Sequence, residues 1–173
     1  MEIKVVKKQT NSKYCFICGL DNESGVKAPF YNLEDDTVAT LFQFKDIHQS
    51  YPGRTHGGVI SAMLDELVGR ALWIKEPNTY GVTTTMTIKF RRAVPYGQYL
   101  KGRGYIVKDS SRIFVGRGEL YDMDGNLLAE LNANYLKLPS DKASNSSVNV
   151  EEEMCYDIPD DVVSFEFPEK SVE

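Results

Sequence analysis

The 173 residues carry 42% hydrophobic and 26% charged side chains, the make-up of a single globular domain with its own core. The formal net charge of −5 is unevenly placed: ten acids against Lys142 and Lys170 fall from Pro139 onward, so residues 1–138 stand at +3. That excess suits a small anionic ligand and is too slight to argue for nucleic acid, because the aromatics near the basic residues fall at strand spacing, the pattern of a core. Along the chain, residues 1–13 are polar and lysine-rich and read as a flexible lead-in. Val26 to Tyr31 and Thr37 to Phe44 read as strands, turned by Glu34-Asp35-Asp36, and Ile47 to Thr55 as a loop carrying His48 and Gln49.

From Gly58 to about Lys75 the period changes. Val59, Ile60, Met63, Leu64, Leu67, Val68, Ala71 and Leu72 recur at helical spacing, and Pro77, Asn78 and Gly81 close the run. Thr79 to Arg92, Gln98 to Lys108, Arg112 to Met123 and Leu127 to Leu138 then read as long antiparallel strands. Pro95-Tyr96-Gly97, Asp109-Ser110-Ser111 and Asp124-Gly125-Asn126 supply the turns between them. One long helix and a wide antiparallel sheet predict an α+β fold in which a curved sheet wraps the helix. Residues 139–173 read as a polar linker followed by an acidic tail that keeps some apolar residues, Val162, Val163, Phe165 and Phe167.

Neither a basic-then-apolar leader nor an apolar run of membrane-spanning length is expected. Cys15, Cys18 and Cys155 are odd in number, which argues against a disulfide framework and for a cytoplasmic protein with reduced thiols. Cys15 and Cys18 have the spacing of half a zinc site, yet His48 and His56 would have to complete it, so packing beside Phe16 and Ile17 is the expectation, with no metal.

The helix carries the chemistry. Opposite its apolar side lies a stripe of Gly58, Ala62, Asp65 and Gly69, poor in helix formers and too small for a solvated face. Such a stripe suits a second backbone packed against it, with Asp65 in the seam. At the helix start, Thr55-His56-Gly57-Gly58 places two glycines where backbone N–H groups lack internal acceptors, a candidate oxyanion hole. Gly57 and Asp65 are roughly 12 Å apart along one helix, too far to act on one carbonyl. Antiparallel helices from two chains would bring Gly57 of one to Asp65 of the other.

His56-Gly57-Gly58 with an acid nine residues after the His resembles the hotdog thioesterase superfamily, specifically the phenylacetic-acid-pathway type. So do Cys15-Phe16-Ile17-Cys18-Gly19, His48-Gln49-Ser50-Tyr51-Pro52-Gly53, Leu64-Asp65-Glu66 and Phe90-Arg91-Arg92-Ala93-Val94-Pro95, and the likeness covers about residues 14–138. The resemblance implies a hotdog fold, acyl-coenzyme A hydrolysis without a metal or redox cofactor, a homodimer at minimum, and dimers pairing into tetramers. It implies Gly57 N–H as the oxyanion donor, Asp65 as general base or nucleophile, and Thr83 as a hydroxyl that orients water where relatives often carry Ser. Ser50, flanked by Gln49, stands where some relatives place an Asn that helps hold the thioester. His56 is expected to position the loop, and Gly58 to leave room for substrate. Arg91 or Arg92 is expected to meet the phosphates of coenzyme A. Glu66, four residues before Arg70, reads as half of a surface ion pair. Ser61, Ser110 and Ser111 lack a nucleophile-elbow context. A hotdog module that binds acyl-coenzyme A without turnover is the alternative, and a hydratase lacks its expected acid–His spacing here.

Overall fold

In the computed structural model, residues 1–139, Lys142 and 162–168 are described. The apolar period after Gly57 folds as α1 (Gly57–Ala71), continued by a single 3-10 turn at Leu72–Ile74. Around it run β1 (Glu2–Lys8), β2 (Tyr31–Leu33), β3 (Val38–Gln43), β4 (Thr79–Phe90), β5 (Tyr99–Asp109), β6 (Ile113–Tyr121), β7 (Leu127–Pro139) and β8 (Ser164–Glu166). They form one sheet in the order β4-β7-β6-β5-β3-β2-β1-β8, and every pairing is antiparallel. One long helix in the curve of an open antiparallel sheet is the hotdog arrangement. The short loops at 110–112 and 122–126 make β5, β6 and β7 neighbours, whereas the longer connection at 91–98 crosses from β4 to β5 without pairing them, so Pro95-Tyr96-Gly97 closes no hairpin and β4 lies beyond β7 as a sheet edge.

Ile60, Met63, Leu64, Leu67 and Val68 turn one face of α1 onto Phe42, Phe44, Leu100, Phe114, Leu120 and Leu131, all buried. Each such side chain contributes about 1.5–3 kcal/mol of transfer free energy. The helix lies close because the strands beneath it carry glycine. A Cβ at Gly104 would sit 2.7 Å from the Leu67 carbonyl oxygen, and one at Gly116 would sit 2.2 Å from Val68 Cγ1. Any side chain at these positions would lift the helix off the sheet. No helix among the described residues is long and apolar enough to cross a membrane.

Three expectations are corrected. The N-terminal segment is not a loose lead-in: β1 pairs with β2 and β8, and its alternation buries Ile3 while Glu2 and Lys4 face outward. The lysines that made it look polar lie mostly on the strand's outer face. Val26 to Tyr31 is not a strand. Val26 and Ala28 donate their amides to Phe16 and Ile17 carbonyls of the preceding loop, and Lys27 has φ of +60°, so ladder pairing begins only at Tyr31. Nor is the segment after Pro139 wholly a tail, because β8 adds to the sheet edge beside β1. There Phe165 and Phe167 pack in a second apolar cluster with Ile3, Tyr31, Leu33 and Tyr121. The polar linker and most of the acidic stretch, with Cys155, lie outside the described residues.

Candidate active site

The start of α1 is fixed before any side chain acts on a ligand. Thr55 N–H donates to the Val94 carbonyl at 2.8 Å and its hydroxyl to the Pro95 carbonyl at 3.1 Å, tying the loop to the chain beyond β4. His56 is the N-cap: its Nδ1 accepts from Gly58 N–H at 2.9 Å, and its carbonyl accepts from Val59 and Ile60. A Cβ at Gly58 would lie 3.1 Å from that Nδ1, so the second glycine makes room for the imidazole. This corrects the reading of Gly58 as a residue that opens the site to substrate, since its amide is taken by the cap. Gly57 N–H has no acceptor among the described residues, and the Phe90 ring would touch a Cβ there at 3.4 Å. The helix start therefore presents one free amide at its positive end.

That amide opens on a cavity of about 400 Å³ lined by Gly57, Ile60, Phe90, Ser50, Arg54, Arg91 and Arg92, among others. Ser50, Gly57, Arg91 and Arg92, predicted separately, are thus brought together. Gln49 is not among the lining residues, and its Oε1 accepts from Tyr96 OH at 3.1 Å in the loop behind. Arg91 is only partly available: its guanidinium donates to the buried carboxylate of Glu130, which also takes Arg117 at 2.9 Å. Arg92 and Arg54 are exposed at the cavity wall. Arg54 and Phe90 were missed by the sequence reading, because their place beside Gly57 depends on how the loop and the end of β4 meet.

Halfway along α1 stands the second group. Thr83 Oγ1 donates to Asp65 Oδ1 at 2.7 Å, and Tyr135 OH donates to the same oxygen at 3.0 Å. No donor reaches Asp65 Oδ2 among the described residues, so one carboxylate oxygen is pinned and the other left for a ligand. Tyr135 is buried, and that burial, followed by the charge of Asp65, pushes its phenol well above the ordinary value. It stays protonated and remains a donor. Tyr135 went unpredicted: it lies opposite Thr83 across the β4–β7 ladder, a pairing between strands far apart in sequence. One trace of it exists in the chain. A Cβ at Gly81 would fall 3.2 Å from the Tyr135 ring and 2.8 Å from the Phe114 ring stacked on it.

Asp65 and Thr83 line a separate cavity of about 100 Å³ with Glu66, Gly69, Arg70, Trp73, Tyr80 and Tyr135. Within one chain, Gly57 and Asp65 therefore face different spaces. The stripe is open at Gly69, where a Cβ would meet no atom within 4 Å, and Val82, Met86 and Phe90 of the edge strand β4 are exposed. Met63 and Leu67 are buried in the core, and Met86 is exposed.

Glu66 and Arg70 do pair, at 2.9 Å, but not on the surface. The Arg70 guanidinium is buried between the Phe30 and Trp73 rings, 4.8 and 4.5 Å from their centroids, and donates to the Thr10 carbonyl. The i, i+4 spacing alone does not reveal this, because the rings that cover Arg70 belong to Phe30, ahead of the helix, and Trp73, beyond its end. The sulfurs of Cys15 and Cys18 approach the other oxygen of Glu66, 3.8 Å from Cys15 Sγ. The hydrogen bond from Cys15 lowers the Cys18 thiol, and the same contact raises that of Cys15. Neither His48 nor His56 joins them: His48 Nδ1 accepts from Lys45 N–H and its Nε2 meets the Ser24 carbonyl, while His56 caps the helix.

Residues 52–129 match the family model described as the thioesterase superfamily. No curated protein shows a significant sequence match. Among solved structures, the chain is similar to a thioesterase superfamily protein at TM-score 0.66 and 22% identity, over 72% of this chain and 60% of that one. It is also similar to a phenylacetic acid degradation-related protein from Ralstonia eutropha JMP134, at TM-score 0.54 and 24% identity, over 60% of this chain and 77% of that one. A third, from Streptococcus mutans UA159 and bound to acetyl CoA, matches at TM-score 0.55 and 20% identity, over 60% of this chain and 82% of that one. The match to the thioesterase superfamily model runs from Pro52 through the helix to Ala129, and the solved structures share this chain's hotdog fold.

Proposed function

We propose that the protein is an acyl-coenzyme A thioesterase whose two equivalent sites each draw on two chains. The observation that carries this reading is the division along α1: a free Gly57 amide in an arginine-bordered cavity, and a carboxylate with one free oxygen in another space. The open position at Gly69 on α1 and the exposed edge strand β4 support an antiparallel pairing that would join the two. The relative solved with acetyl CoA supports the ligand class. Dimers would pair further into tetramers, and the setting would be cytoplasmic.

In this reading the thioester carbonyl oxygen points at Gly57 N–H, where charge develops as the carbonyl carbon becomes tetrahedral. Asp65 Oδ2, from the partner, either takes a proton from an attacking water or attacks the carbonyl itself and forms an anhydride that water then opens. Either route breaks the carbon–sulfur bond and releases coenzyme A as its thiol and the acyl group as its acid. Thr83 and Tyr135 hold Oδ1 so that Oδ2 is aimed, and Tyr135 limits hydration of the carboxylate. Arg92 and Arg54 would meet the phosphates of coenzyme A, with Arg91 divided between them and Glu130.

A thiol-release assay over short, long and aromatic acyl-coenzyme A thioesters tests this, with Asp65→Ala alongside. Turnover by the wild type that collapses in the variant supports the enzyme and identifies the acyl class. Saturable binding of the esters with no turnover of any of them would make the protein an acyl-coenzyme A sensor instead.

A further inference from the structure

The N-terminal loop and α1 bring together a group that the thioesterase reading does not use. Cys15 Sγ, Cys18 Sγ and a Glu66 carboxylate oxygen all lie within 4.8 Å of one another, and Cys15 Sγ to Glu66 Oε2 is 3.8 Å. Two ligands on a tetrahedral zinc ion, at its usual Zn–S and Zn–O distances, stand about 3.6–3.8 Å apart. Cys15 and Glu66 therefore stand at the spacing of two corners of such a site, and Cys18 Sγ lies within 4.8 Å of both.

The surroundings are organised for those corners. Gly19 N–H closes the turn onto the Cys15 carbonyl at 2.8 Å, and a Cβ at Gly19 would lie 2.4 Å from that oxygen. Only glycine permits the tight turn that points both sulfurs the same way. Ile17 N–H donates to Cys15 Sγ at 3.4 Å, and Ser12 Oγ lies 3.2 Å from Cys18 Sγ while accepting from the Cys15 amide at 3.1 Å. Arg70 Nε holds Glu66 Oε1 at 2.9 Å, which leaves Oε2 turned to the sulfurs. Such donors around the ligands fix their orientation. Metal binding would displace the thiol protons, and two thiolates and a carboxylate against the buried Arg70 guanidinium then leave a formal deficit that one divalent cation cancels. Thiolates select a soft or borderline metal and exclude magnesium and calcium.

We propose that Cys15, Cys18 and Glu66 bind a zinc-type divalent cation, with the fourth position taken by water. Cys18 is buried while Cys15 and Glu66 are half-buried, so the open position faces the surface side of the group. The ion would clamp the loop after β1 onto α1, one residue from Asp65. This inference rests on the cluster alone and does not depend on thioester hydrolysis.

The test uses the full chain, reduced, treated with chelator and titrated anaerobically with Co²⁺. The expected result is one Co²⁺ per chain with thiolate-to-cobalt charge-transfer absorption and tetrahedral visible bands, all displaced by Zn²⁺. Cys15→Ser, at a half-buried position, should keep the wild-type circular dichroism and lose the charge-transfer intensity, and Glu66→Gln should weaken affinity about tenfold or more. Zn²⁺ should raise the Tm of the wild type and not that of Cys15→Ser. Absence of thiolate-to-cobalt absorption, or equal affinity in Cys15→Ser, would overturn the proposal. So would a reduced chain that takes up no metal yet forms a Cys15–Cys18 disulfide with glutathione disulfide, which would make the pair a redox couple.

Discussion

The two ends of the candidate site are built in different ways. At the start of α1 the working group is a backbone amide, and its neighbours Arg54, Arg92 and Phe90 are exposed around a cavity of about 400 Å³. Eight residues on, the working group is a side chain held by two hydroxyl donors in about 100 Å³, one of them on the buried Tyr135. The first end is shaped by local sequence: a capping imidazole, a glycine that admits it, and a free N–H. The second depends on a helix, an edge strand and that strand's ladder partner meeting at one point. An end made of backbone tolerates side-chain change nearby, whereas an end made of a fixed carboxylate does not.

The comparison is sharpest at Asp65. Asp65→Asn should lower kcat by about 10²–10⁴-fold while leaving the circular dichroism and Tm near wild type, as checked by thiol release and thermal melts. A loss carried by KM alone would move the chemistry elsewhere.

The next effect concerns stability, at the carboxylate that holds Arg91 behind the open cavity. Burial raises the Glu130 carboxyl, but hydrogen bonds from Arg91 and Arg117 outweigh it and hold its pKa below the usual carboxylate range. A carboxylate depressed in the folded state stabilises the fold above its ordinary pKa, and that contribution is lost as pH falls through the folded value. Glu130→Gln should cost about 1.5–3 kcal/mol at neutral pH and flatten the acid limb of the stability curve, read by denaturant unfolding at several pH values. A mutant curve parallel to wild type down through that limb would contradict the assignment.

Tyr135→Phe and Thr83→Val each remove one hydrogen bond from Asp65 Oδ1 and should lower kcat about tenfold, the double variant by more. Single variants with unchanged kcat would mean that the carboxylate needs no orientation. The smallest effect separates the two arginines. Arg92→Ala should raise KM a few-fold with kcat kept, more visibly at low salt, whereas Arg91→Ala should chiefly lower stability, because Arg91 is held by Glu130.

How much of this the sequence discloses follows the same division. The helix, the four long strands after it and the glycine-led helix start are legible because each rests on local periodicity or turn chemistry. Asp65 is legible through the small-residue stripe, since two glycines on an outward face are hard to explain otherwise. Tyr135 is not, because the β4–β7 pairing joins strands that are distant in sequence. Arg70 misled for a related reason: its spacing from Glu66 is that of a surface pair, and only the arrival of Phe30 and Trp73 buries it. Strand β1 was hidden by its lysines, which lie mostly on its outer face. The meeting of Cys15 and Cys18 with Glu66 is likewise a product of packing, invisible to a search for histidine ligands.

The central claim is that one site takes Gly57 from one chain and Asp65 from another, and mixed dimers test it most directly. Gly57 is the first residue of the helix, where proline is tolerated, so Gly57→Pro deletes the free amide with little disturbance. Each homodimer, Asp65→Asn or Gly57→Pro, should be nearly inactive alone. After unfolding and refolding as an equal mixture, half of the dimers carry both variants, and each of those regains one intact site, so activity should return to about a quarter of wild type. No recovery beyond the sum of the two parents, with mixed dimers demonstrably formed, would contradict a shared site and place the chemistry within a single chain.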